Sequence, residues 1–236
     1  MKERDGINCE AIVLWKRKRR LHSVITFLTK QKGIINCSVS HRELQRMKDT
    51  GYLQPFSSVY ITLMPDREYY RLKQIDGRYS IRSVEESLES IYYAAAAGEL
   101  ITRLFLQEEQ DFRVYRTVAA FSERIRTKPV RLAVILLGWQ LLSLAGFIPA
   151  ADAYQKGNGT DTFFDELRGI TGHGLSGEAK RALGMILLYR WDNSVTVAFP
   201  AVVWQELENN LWSYATMQIG AEPTALAFLR ELSDHK

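Results

Sequence analysis

Residues 51–63, GYLQPFSSVYITL, decide how the first third of the chain is read. Val59, Ile61 and Leu63 fall on one face while Tyr60 and Thr62 fall on the other, the period of a strand. The strand is entered through a Leu53-Gln54-Pro55-Phe56 corner, just after a basic stretch running from His41 to Lys48. A charged loop followed by a rigid corner and a strand suggests a scaffold that holds out a binding loop.

The neighbouring sequence has the same texture. Ile7, Cys9, Ala11, Val13 and Trp15 alternate with Asn8, Glu10, Ile12 and Leu14, and after KRKRR come VITFLT (24–29), a turn, and IINCSV (34–39). YYRLKQID (69–76) follows the strand at 58–64, and a last short strand is expected at 78–82. Five short strands with almost no helix between them predict a small antiparallel barrel. At residue 83 the pattern changes. Ser83 and Glu86 have capping-box spacing, and Val84, Leu88, Ile91 and Ala95 recur at helical intervals. Helices are expected over 83–108, 111–126, from Pro129 to just before Pro149, over 177–190 and 201–219, and from Pro223 onward. Glycine-rich 150–176 reads mostly as loop. The chain is therefore α+β, with a barrel domain over 1–82 and an all-helical domain over 83–236.

Charge divides along the same boundary. Residues 1–80 carry 16 Lys/Arg against 8 Asp/Glu, whereas the remainder carries 15 against 19. A basic module joined to an acidic scaffold suits a polyanion partner. Two cysteines, Cys9 and Cys37, make no disulfide framework and fit a reducing cytoplasm, and the polar N-terminus is unlike a signal peptide. Leu132 to Ala151 is an uncharged run of membrane-spanning length, but Pro149 ends it and Gly138, Gln140 and Ser143 dilute it. It reads as a helix buried on all sides, and no membrane partner is expected.

No catalytic residue emerges. The four histidines have no metal-ligand spacing to one another or to the cysteines, and the glycine-containing QKGNGTD lacks the ending of a phosphate loop. No enzyme and no cofactor are expected. Nucleic-acid binding has better support. Lys16, Arg17, Lys18, Arg19 and Arg20 are consecutive cations, expected in the loop between two strands, and they repel one another unless a polyanion neutralises them. Arg42, Arg46 and Lys48 form a second group before the corner. Tyr69, Arg71 and Lys73 share a strand face, an aromatic beside two cations, which suits a stacked base and its phosphates.

Several segments also resemble a known family. EAIVLW (10–15), FLTKQKGIINCSV (27–39), GYLQPF (51–56), AGELITRLFLQEE (97–109) and LLSLAGFIPAAD (141–152) occur in the order found in the RecO family of bacterial recombination mediators, with a fainter likeness at AFLREL (227–232). GYLQPF is the most specific, with Tyr52 where the family has alanine. The resemblance implies an oligonucleotide-binding (OB) barrel, a helical C-terminal domain, and binding and annealing of DNA in the nucleoid. It also implies partnership with RecR and with the C-terminal tail of single-strand-binding protein (SSB). Arg126, Lys128 and Arg131, cations beside an apolar helix, are candidates for docking that acidic tail. Many family members carry a four-cysteine zinc site after the Gly-x-x-Pro segment; residues 150–176 contain no cysteine, so no metal site is expected. The loop before the corner includes Glu43 and Asp49 and can form a helical turn capped by Ser40. The reading is a non-enzymatic mediator that helps load a recombinase, the alternative being a protein-interaction adaptor with weak DNA binding.

Overall fold

The computed structural model describes residues 6–66, 69–79, 87–156, 160–192 and 197–234. The Ser83–Glu86 capping box, residues 80–82 of the last expected strand and the 82/83 boundary lie outside them. Five strands make a closed barrel: β1 (Ile7–Lys18), β2 (His22–Thr29), β3 (Gly33–Ser40), β4 (Ser58–Pro65) and β5 (Tyr70–Tyr79), in the order β1-β2-β3-β5-β4. Four of the five seams are antiparallel. The closing seam, β3 to β5, is parallel and short, with Cys37 opposite Tyr70 and Ser38 opposite Arg71. No separate strand begins at 78; β5 runs unbroken to Tyr79.

A bulge in β1 corrects the alternation expected there. Val13 pairs with Phe27 but Trp15 pairs with Thr26, so Leu14 is the extra residue. One inserted residue exchanges the faces beyond it. Cys9, Ala11 and Val13 point into the barrel, while Ile12, Leu14 and also Trp15 pack against the helical core. Each cysteine thiol is buried and free, and burial raises the Cys9 pKa to about 11.

The Leu-Gln-Pro-Phe corner joins the two regions. Leu53 enters the barrel core and Phe56, fully buried, enters the helical core. The Phe56 amide donates to the Val13 carbonyl at 2.6 Å, and the Val13 amide donates to the Ser57 carbonyl at 2.9 Å, so the corner is fastened beside the bulge. Between β3 and the corner, α1 (His41–Arg46) starts from a full capping box. Ser40 Oγ accepts from the Glu43 amide, and the Glu43 carboxylate accepts from the Ser40 amide. The helical turn expected from Ser40 is present.

The helices are α2 (Leu88–Leu104), α3 (Phe112–Arg124), α4 (Val130–Leu144), α5 (Ala151–Lys156), α6 (Thr160–Thr171), α7 (Gly177–Leu188), α8 (Ala201–Ile219) and α9 (Thr224–Asp234). Every residue of α4 from Ala133 to Leu142 is buried, which explains its uniform apolarity. Its one polar side chain there, Gln140, is satisfied: it donates to the carbonyls of Ile186 and Tyr189 and accepts from Trp191 Nε1 at 2.7 Å. Among the described residues no helix is long and apolar enough to cross a membrane. The α2 helix approaches β1 so closely that a Cβ on Gly98 would stand 3.0 Å from the Leu14 carbonyl oxygen. Glu99 beside it accepts from the Thr224 amide at 2.9 Å, tying down the start of α9. The expectation of loop over 150–176 is corrected. Most of that segment is α5 and α6, because Phe163, Phe164 and Leu167 form a stripe that packs into the helical core.

Candidate nucleic-acid interface

The helices cover only part of the barrel's outer wall. Ile12, Leu14, Leu28 and Ile34 face the helical core. Further along the same strands, outward residues meet solvent. The register joins Arg17 to Val24, Val24 to Ser38 and Ser38 to Arg71, one row across β1, β2, β3 and β5. Paired residues share a face, and at ~4.8 Å per strand the row spans about 14 Å. The next outward row, Trp15, Thr26 and Asn36, is not open: Thr26 is buried, Trp15 and Asn36 are half-buried, and the Thr26 hydroxyl donates to Asn36 Oδ1 at 2.7 Å.

The five cations expected in a loop are divided by the structure. Lys16, Arg17 and Lys18 belong to β1 and pair with Ile25, Val24 and Ser23; only Arg19 and Arg20 lie in the turn, which the Arg19 amide closes on the His22 carbonyl at 2.8 Å. Strand alternation sends Arg17 outward and Lys16 and Lys18 the other way. All five are exposed, and among the described residues none forms a salt bridge. Arg17 stacks its guanidinium over the Trp15 ring, 5.1 Å from the centroid. Trp15 is not among the sequence candidates; the bulge at Leu14 turns it to the outward face.

The second and third groups meet. Arg46 and Lys48 at the end of α1 and Lys73 on β5 line one groove of about 360 Å³, whose apolar wall includes Met47, Leu72 and Ile75. Glu43 and Asp76 share the groove. Hydrogen bonds from Ser40, helped by the fields of Lys73 and Arg71, hold the Glu43 carboxyl below its ordinary pKa. Arg42 is exposed on α1 outside this groove. Arg71 meets Asp66 at 3.2 Å, with both side chains about half exposed. Such a pair contributes little in water. Tyr69 is exposed ahead of β5. Because His22 pairs with Ser40, the basic hairpin tip lies beside the start of α1.

Arg126, Lys128 and Arg131 each have a different partner. Arg126 lies over the Tyr79 ring at 5.6 Å and Lys128 over the Tyr189 ring at 5.8 Å. Arg131 lines a large cleft of about 1080 Å³ among α2, α4, α8 and α9. There Glu208, buried, accepts from the Tyr93 hydroxyl and from Arg131, whose Nε donates at 3.0 Å. Those hydrogen bonds raise the Arg131 pKa, and burial with the Glu208 contact raises that of Tyr93. Among the described residues no cluster of His, Cys, Asp and Glu could hold a metal ion.

The family model described as recombination protein O C terminal matches residues 85–225, more than half of the chain. The chain belongs to the RecO family. A curated relative, DNA repair protein RecO of Caldanaerobacter subterraneus subsp. tengcongensis, is 21% identical over 153 residues. That match covers 62% of this chain and 61% of the relative, so the chain spans less than two thirds of the RecO protein it resembles. The family match falls on the helical region, while the exposed cations of the hairpin lie on the barrel. Together they give a RecO-type helical region behind a barrel with an open, basic outer face.

Proposed function

We propose that this chain is a non-catalytic mediator of DNA repair and recombination that binds DNA on the open barrel face and anneals complementary strands. With RecR it would help load a recombinase on DNA coated by SSB. The observation that carries the reading is the set of exposed cations from Lys16 to Arg20, unpaired among the described residues, of which Arg17 shares an outward row with Arg71, together with the groove of Arg46, Lys48 and Lys73. Five like charges at one hairpin are mutually repulsive, and a polyanion relieves that repulsion while releasing its counterions. Trp15, Tyr69 and Arg17 supply planar groups for unstacked bases. The barrel, over residues 1–82, is the nucleic-acid module, and the helical region from 83 onward is the partner module.

The test is annealing of two complementary oligonucleotides labelled with fluorophore and quencher. The protein should accelerate annealing at low salt and progressively less as salt rises. No acceleration, together with no binding of single strands at low salt, would contradict the proposal. A second reading, an adaptor with weak DNA binding, is favoured by the large cleft in the helical region. It predicts peptide binding there with no annealing.

A further inference from the structure

The latter part of the segment joining α2 to α3, Gln107-Glu108-Glu109-Gln110-Asp111, docks on the barrel beside the open face. β5 pairs with β3 only at Cys37 and Ser38, and the strap takes the edge that β5 leaves. The Glu108 amide donates to the Ile34 carbonyl at 2.9 Å, and Ile34 and Gln107 form a parallel bridge. Asn36 Nδ2 donates to Gln107 Oε1 at 3.1 Å, and Gln110 Nε2 donates to the Lys30 carbonyl at 3.0 Å. A Cβ on residue 33 would fall 1.9 Å from the Glu109 carbonyl oxygen; Gly33, at φ +63°, leaves that space open.

These contacts seal the seam through backbone and amide groups, and none of them needs a carboxylate at 108 or 109. Both carboxylates are nevertheless present and exposed. Glu108 adopts φ 59°, and its carboxylate accepts from the Tyr70 hydroxyl at 3.4 Å. The same Tyr70 ring receives Lys32 Nζ at 5.8 Å from its centroid. Asn36, held by the strap, is two residues along β3 from Ser38 in the Arg17–Arg71 row, a distance of about 7 Å. The strap therefore borders the row, and its carboxylates repel a phosphate that comes within the ~8 Å screening length of physiological salt.

We infer that the acidic strap ends the nucleic-acid path. Glu108 and Glu109 exclude phosphates from the corner of Lys30, Lys32 and Tyr70, and so limit how far a single strand extends along β3. The inference rests on the single-strand reading of the open face. Its test is a salt-resolved titration of the full chain with an oligothymidine, parent against Glu108→Gln/Glu109→Gln. Gln at 108 keeps an acceptor for Tyr70, and Glu109→Gln alone is the fallback should the double variant melt lower. The variant should bind about two-fold tighter near physiological salt, from loss of two nearby like charges. Its salt slope should steepen by ~0.7 if Lys32 gains one phosphate. Adding Lys32→Gln should abolish the gain in slope. Unchanged affinity and slope in a variant that melts like the parent would overturn the inference while leaving the single-strand reading intact. A gain that survives Lys32→Gln would also overturn it, because the acids would then act on the face at large. Binding by the variant where the parent shows none supports the strap as the barrier. Absence of binding by both removes the single-strand reading and the inference with it.

Discussion

Phe56 is a bulky residue held at φ 61°, a conformation that side chains of its size rarely adopt. The surroundings over-determine it. Its amide is bonded to Val13, and its ring meets Phe121 edge-on with centroids 4.9 Å apart; Phe121 in turn meets Trp191 at 5.2 Å. One side chain from the barrel therefore starts a column of rings that ends on Gln140 at the centre of the helices. Phe56→Ala should destabilise the protein by about 3–5 kcal/mol, read as a lowered urea midpoint. A loss below about 1 kcal/mol would mean that the corner is not the bolt between the two regions. Ser40 acts on a smaller scale. Its hydroxyl and amide stabilise the charged form of Glu43, so the folded pKa lies below the unfolded one. That contribution is present above the ordinary glutamate value near 4.5 and is lost as pH falls through the lowered value. Ser40→Ala should cost ~1 kcal/mol at neutral pH and less in acid. An equal cost at pH 7 and pH 3 would contradict the linkage.

At the level of elements, the helices past residue 87 were largely legible because their apolar spacing and caps are local features. Asp111, for example, caps α3 through its carboxylate, and α4 starts at Val130, one residue after the Pro129 start expected from sequence. Two elements were not legible, for different reasons. The glycines of 150–176 suggested loop, but the buried stripe of α6 decides, since tertiary packing outweighs local propensity. The β1 bulge leaves no mark in sequence, because which residue is extra depends on a partner strand far along the chain. It turned Trp15 outward and thereby added an aromatic to the candidate site. The hairpin cations were recognisable as a run, but their division between strand and turn was not. The groove of Arg46, Lys48 and Lys73 was present in the sequence only as two separate groups, joined by the parallel seam of β3 with β5. The structure also shows why Arg131 differs from Arg126 and Lys128: its charge is answered by Glu208, which sequence distance concealed.

For the whole molecule, the basic barrel and the acidic helical region suggest a division of labour between DNA and protein partners. A peptide copying the acidic, phenylalanine-ended tail of SSB should bind the full chain at low salt with an affinity on the order of micromolar. Arg126→Gln/Lys128→Gln should weaken it. Undiminished binding by that variant would place the tail elsewhere, and no binding at low salt would remove this partner. Whether nucleic acid is held by the barrel face is decided by replacing Lys16, Arg17, Lys18, Arg19 and Arg20 with Ser or Gln and measuring single-strand affinity across a salt series. Binding to every sequence should weaken, and the salt slope should flatten by ~0.7 for each phosphate that is no longer neutralised, roughly two units for three phosphates. Melting should be unchanged, because exposed charges seldom matter to folding. A variant that melts like the parent and keeps both its affinity and its slope would refute DNA binding at this hairpin and assign the DNA to the groove of Arg46, Lys48 and Lys73.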